Sequence, residues 1–173
     1  APRRNTDYLA ALHQPMKGLR IALSTTLGYV DVNPDIEKAV LEAGKVFEAL
    51  GAIVTEADPG FSNPLAAFSH LFYSGAANAM RDLGERQRNL MDPALVEVAR
   101  KAEKLSMLDY LGAMNERMAV SERMALFHTK YDLLITPALP LDAFDTNREV
   151  PVDWPSTRWP TWTPFTHPFN LTG

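Results

Sequence analysis

The stretch from Tyr131 to Phe144, YDLLITPALPLDAF, constrains the fold of this chain more than any other. It opens on a polar pair, runs through Leu133, Leu134 and Ile135, and stops at Thr136-Pro137. A continuous apolar run bounded by proline predicts a strand at 132–136 buried on both faces. Pro137 and Pro140 cannot donate to a ladder, so they fix where pairing ends and a loop begins. In an open α/β sheet, the loop leaving a strand's carboxyl end is where ligands usually bind. The remainder, Thr146 to Gly173, reads as a covering loop.

The upstream chain supplies partners for that strand. Lys17 to Ser24, KGLRIALS, alternates Leu19, Ile21 and Leu23 with Arg20 and Ala22, a short strand at 19–24. Asn33-Pro34 places an N-cap and a first helical residue, and Gly51 supplies a stop. Between them Ile36, Ala39, Val40, Ala43, Phe47 and Leu50 fall on one face at helical spacing. Ala52 to Glu56 is a second strand, so 17–57 forms a βαβ unit with parallel strands. A helical insertion over 62–130 follows. Asn63-Pro64 opens a helix with Leu65, Phe68, Phe72, Ala76 and Ala79, ending near Gly84. Asp92-Pro93 opens another with Leu95, Val96, Ala99 and Ala102. Ser106 with Asp109 forms a capping-box pair for a third, reaching about Thr129, whose apolar line is Leu111, Met114, Met118 and Ala125. The last segment, 131–173, holds the organising strand and a Pro/Trp-rich loop. Between Pro151 and Pro168 stand five prolines and three tryptophans, too stiff for a helix and too aromatic for a linker. That loop is either a packed Ω-like loop or a wall on the substrate side. At the other end, Arg3-Arg4, Tyr8-Leu9 and Leu12 suggest an arm that packs on a neighbour.

Several function classes are excluded. A net charge of -4, with Arg100, Lys101 and Lys104 interleaved by Glu103, lacks the clustered basic face of a nucleic-acid binder. The absence of cysteine removes disulfides, thiolate nucleophiles and Cys-type zinc sites. No apolar run approaches the roughly 18 residues of a membrane span and no signal peptide is visible, so a cytoplasmic setting is expected. Gly28 stands alone in the loop Thr25 to Val32, so no glycine-rich phosphate cradle follows the first strand. His13, His70, His128 and His167 share no metal-ligand spacing. Asp142 and Asp145 read as turn or cap residues, and Ser74 falls within a helical pattern with no obvious base. The residues taken alone offer a scaffold and a pocket wall, and no catalytic engine.

The ordered set DYLAAL, KGLRIALS, LGAIVTEAD, YDLLITPALPLDAF and PFNLTG resembles the amidase signature family of serine amidohydrolases. It covers about Asp7 to Gly173 and matches the part of that family downstream of its Gly/Ser-rich signature. The resemblance implies an α/β fold: a small, mainly parallel sheet flanked by helices, part of a larger α/β/α sandwich. It also implies hydrolysis of carboxylic amides by a Ser–cis-Ser–Lys triad without metal or organic cofactor. No position here matches that triad, so no catalytic residue is assigned, and the chain by itself is expected to be inactive. Its expected partner is a small-molecule amide, bound together with an upstream part, with no nucleic acid or membrane and with self-association as an option. The pocket candidates implied are Tyr73, Ser74 and Asn78 on the helix YSGAANAMRD, Thr136 and Pro137 at the strand end, and Phe165 and Asn170 near the end. Thr163 stands where glutaminyl-transfer relatives carry an acid, which favours a general amidase. The second expectation is a stand-alone, non-catalytic α/β binding domain.

Overall fold

The computed structural model describes residues 7–11 and 13–172. The Arg3-Arg4 pair and Leu12 lie outside the described residues. A single turn α1 (Tyr8–Ala11) precedes strand β1 (Arg20–Leu23), helix α2 (Pro34–Ala49) and strand β2 (Ile53–Glu56). Four helices follow: α3 (Leu65–Met80), α4 (Glu85–Arg88), α5 (Pro93–Ala102) and α6 (Met107–Phe127). The chain then forms β3 (Leu133–Ile135), a 3-10 turn (Trp159–Trp162) and α7 (Thr166–Thr172).

The three strands make one parallel sheet in the order β2-β1-β3. This corrects the expected place of one strand. β1 is central, and its Ile21 and Ala22 are both fully buried. β3, read as buried on both faces, is an edge strand whose Leu133 stays 45% exposed. An apolar run records hydrophobicity but not position in the sheet, and only the middle strand receives helices on both sides. Ala22 faces Met124 and Phe127 of α6, with Leu134 beside it, while Leu23 points at α2. There Gly44 is buried and lies so close that an added Cβ would overlap Leu23 Cδ1.

Helix starts follow the sequence signals. Asn33 Oδ1 accepts from the Asp35 N–H at 2.9 Å and Asp92 Oδ1 from the Leu95 N–H at 3.0 Å, each with proline in the first turn. Ser106 and Asp109 cap α6 reciprocally, and Gly51 takes φ +92 after α2. Three readings need correction. Gly84 does not end α3, which stops at Met80; it precedes α4, and its N–H donates to Gln87. The buried stripe of α6 is Ala113, Val120, Met124 and Phe127, whereas Leu111 and Met118 of the expected line are exposed. The segment 151–168 is not free of helix, since its prolines start one. Pro160 and Pro168 fall in the first turns of the 3-10 helix and α7, where the missing N–H has no intrahelical acceptor to lose.

At the strands' carboxyl ends the polar groups pair among themselves. Ser24 Oγ donates to Asp58 Oδ1 at 2.5 Å and accepts from the Leu27 N–H at 2.7 Å. Asn33 donates through its backbone to Pro140 O and through its side chain to Asp142, so Asp142 serves the turn. Beyond this edge α3 packs on α5 and α6, and α7 closes against α3 and α6. No helix among the described residues is long and apolar enough to cross a membrane.

Candidate functional site

The cleft richest in aromatic groups lies away from the sheet edge, among α3, α6, the 3-10 turn and α7. Its volume is about 400 Å³, and its walls are Phe68, Leu71 and Phe72 of α3, Arg117 of α6, Trp159, and Thr166, Asn170 and Leu171 of α7. The α3 residues arrive at i, i+3 and i+4, so one helical face presents them together. Phe68 and Phe72 stack at 5.5 Å between ring centroids, and Phe72 meets the ring of Trp159 edge-on at 5.6 Å.

Each wall is held from behind. His167, fully buried, stacks on Phe68 with centroids 4.4 Å apart and its Nε2 lies 3.3 Å from Thr163 Oγ1. Thr163 Oγ1 itself donates to Pro160 O at 3.2 Å. The His167 Nδ1 is buried without a hydrogen-bond partner among the described residues. Burial pushes His167 down to about 4. Arg117 Nε donates to Leu171 O at 2.8 Å, tying α7 to α6. Trp159 is fixed through its backbone, whose N–H donates to Glu149 Oε1 at 3.2 Å. Glu149 also accepts from Arg158, and its carbonyl accepts from Trp162 Nε1 at 2.8 Å. Arg158 in turn pairs with Glu97 of α5 at 2.5 Å. Hydrogen bonds from Lys101 and then Arg158 hold the Glu97 carboxyl down to about 2.

The structure distributes the seven sequence candidates widely. Asn170 lines the cleft, at the mouth of which it is exposed. Tyr73 adjoins Phe72 edge-on at 5.9 Å; burial raises its phenol, against the charge of Arg158 nearby. Ser74 is half-buried on α3, and Asn78 is exposed one turn further. Phe165 belongs to a separate core cluster with Leu27 and Val30. Pro137 is buried at the end of β3, and Thr136 Oγ1 is buried without a partner among the described residues. Phe68, Phe72 and Trp159 had signals, as helix-face and loop aromatics, but those signals are the same for core packing. Arg117 and Thr166 carried none.

The lining is mainly apolar and includes a guanidinium, a carboxamide and a hydroxyl, which suits a small molecule with an apolar body and a polar group. Among the described residues no group of three or more His, Asp or Glu is placed to hold a metal ion.

The sequence model of the family described as Amidase matches residues 1–173. An acylamidase of Rhodococcus erythropolis is 33% identical over 98% of this chain, which spans 36% of that protein. One component of the glutamyl-tRNA(Gln) amidotransferase of Carboxydothermus hydrogenoformans is 30% identical over 80% of this chain, spanning 34% of its length. Among solved structures, a bacterial aryl acylamidase of the amidase signature enzymes superposes over the whole chain with a TM-score of 0.84 at 23% identity. A 6-aminohexanoate cyclic dimer hydrolase superposes with a TM-score of 0.78 at 18% identity. This chain covers 39% and 40% of those two proteins, and at such identities they bear on the fold alone.

Proposed function

The chain belongs to the amidase family, and from that premise we propose that it forms one wall of the substrate pocket of an enzyme that hydrolyses carboxylic amides to acid and ammonia or amine. The observation that carries the proposal is the 400 Å³ aromatic cleft with Asn170 and Thr166 in its lining. The stacked Phe68 and Phe72 fit the apolar part of an amide, and the Asn170 carboxamide can both donate to its carbonyl and accept from its NH. Tyr73, beside Phe72, is proposed as a neighbour of that cleft; Ser74, Asn78, Thr136, Pro137 and Phe165 are proposed to face other parts of the complete enzyme's substrate pocket. The chain is taken as a partial domain made of the βαβ unit 17–57, the helical insertion 62–130 and the segment 131–173. It supplies no catalytic residue in this reading. A small-molecule amide is the partner and a cytoplasmic setting goes with it. Exposed Leu108, Leu111 and Met118 on α6 favour self-association when this chain stands alone.

The test is ammonia or amine release from aliphatic and aryl amides by this chain and by the complete reading frame that encodes it. The expected result is turnover by the complete protein and none by this chain. Turnover by this chain would place chemistry where none is assigned and return attention to Ser74. Silence from a folded complete protein would favour the non-catalytic binding domain.

A further inference from the structure

A second cavity, of about 640 Å³, lies next to the cleft, between α5 and the segment that leads into the 3-10 turn. Its floor is Leu95 and Val98, and its rim is Asn147 and Glu149. The two cavities share two lining residues, Phe72 and Trp159. These are the rings that meet edge-on at 5.6 Å with planes 85° apart. Rings in edge contact leave no passage for a methylene chain. The position of the contact is set by the hydrogen bond from the Trp159 N–H to Glu149, on the lining of the second cavity, and by the pairing of Arg158 with Glu97, which lines neither. The Trp159 ring is thus delivered to Phe72 by a braced backbone.

We infer that the Phe72–Trp159 pair is a partition that sets the greatest length of apolar substituent an amide can place in the cleft, with an apolar-floored second cavity behind it. Phe72 and Trp159 are then specificity-determining residues, and the substrates of the unaltered protein are amides with short or compact apolar groups. This inference rests on reading the cleft as an amide pocket.

The experiment measures the affinity of straight-chain primary amides, from butyramide to decanamide, as KM where they are turned over and by calorimetry where they are not, for the complete protein encoded by the reading frame and for its variants, each first checked for cooperative melting. Burying one methylene contributes about 0.8 kcal/mol, so affinity should rise about fourfold per carbon until the chain end reaches the partition, and then stop rising. In Trp159→Ala the fourfold increments should continue over further carbons. Trp159→Leu, which keeps an apolar filler on the braced backbone, provides the reading if the alanine variant fails to melt cooperatively. Adding Val98→Trp should narrow the second cavity and shorten that extension. The same length limit in the wild-type protein and in a folded Trp159 variant overturns the partition while leaving the pocket reading intact, because short amides still bind. A wild-type series with no limit overturns it equally. Binding of no amide by any folded form overturns the pocket reading and the partition with it.

Discussion

At the scale of single residues, His167 couples the aromatic wall to pH. It is fully buried against Phe68, and burial holds its ring down to about 4 from an ordinary 6.5. Between those values the unfolded chain binds a proton that the folded chain refuses, so stability rises with pH across this window. Stability should therefore be full above about pH 6.5 and fall by roughly 2 kcal/mol on going down to pH 5. Urea midpoints at pH 7 and pH 5 measure the loss, and His167→Phe, which keeps the ring stack, should remove most of it. An undiminished slope in that variant would assign the loss to other groups. Glu97 and Asp132, both held down to about 2 by hydrogen bonds from cationic partners, contribute their own loss only at lower pH. His167 also marks a limit of the sequence. A lone histidine between Thr166 and Pro168 gives no sign of whether it is solvated or enclosed, because its enclosure comes from Phe68, nearly a hundred residues earlier. Trp159 was legible as part of a stiff aromatic segment, but its edge contact with Phe72 depends on how that segment returns to α3.

At the scale of elements, α2 meets β1 through a glycine. Gly44 lets the helix backbone settle onto Leu23, a residue 4% exposed and so without room to swing aside. Gly44→Ala gains roughly 1 kcal/mol of helix propensity but overpacks that contact, at about 1–3 kcal/mol. A net loss of about 1 kcal/mol is expected in urea unfolding. In a Leu23→Val background, where the overlapping methyl has been withdrawn, the same change should be neutral or stabilising. Equal effects in both backgrounds would show that the contact is not what matters. The starts of α2, α5 and α6 were well marked in the sequence, because Asn33, Asp92 and Ser106 carry their caps locally, whereas α4, the 3-10 turn and α7 were not foreseen. The face of α6 was not. Its stripes Leu111–Met118 and Ala113–Val120–Met124–Phe127 both recur at helical spacing, nearly half a turn apart, so periodicity alone cannot choose between them. The same holds for β1 and β3, where run length could not tell a central strand from an edge.

At the scale of the molecule, a three-stranded parallel sheet and a helical block share one chain, and the cleft lies in the helical part rather than at the sheet's carboxyl edge. The fold class was legible because strand, helix and strand follow one another closely in 17–57. The cleft's place was not, since it needs α3, α6 and the last helix to converge. The sheet has one property that bears on time rather than on shape. Ile21 pairs with Leu133 across the whole helical insertion, and Arg20 grips Asp132, 112 residues away, through its backbone N–H and guanidinium. Closing so long a loop costs entropy that its few hydrogen bonds return only at the end, whereas α5 and α6 find α3 nearby in sequence. Folding should accordingly begin in the helices, with β3 docking last. In stopped-flow experiments Val120→Ala should slow folding, while Asp132→Ala should leave folding almost unchanged and speed unfolding. The reverse pattern would place the sheet first. If the helices lead, the aromatic wall is assembled before the strand that appears in the sequence as the centre of the chain, and that strand is the last part to arrive.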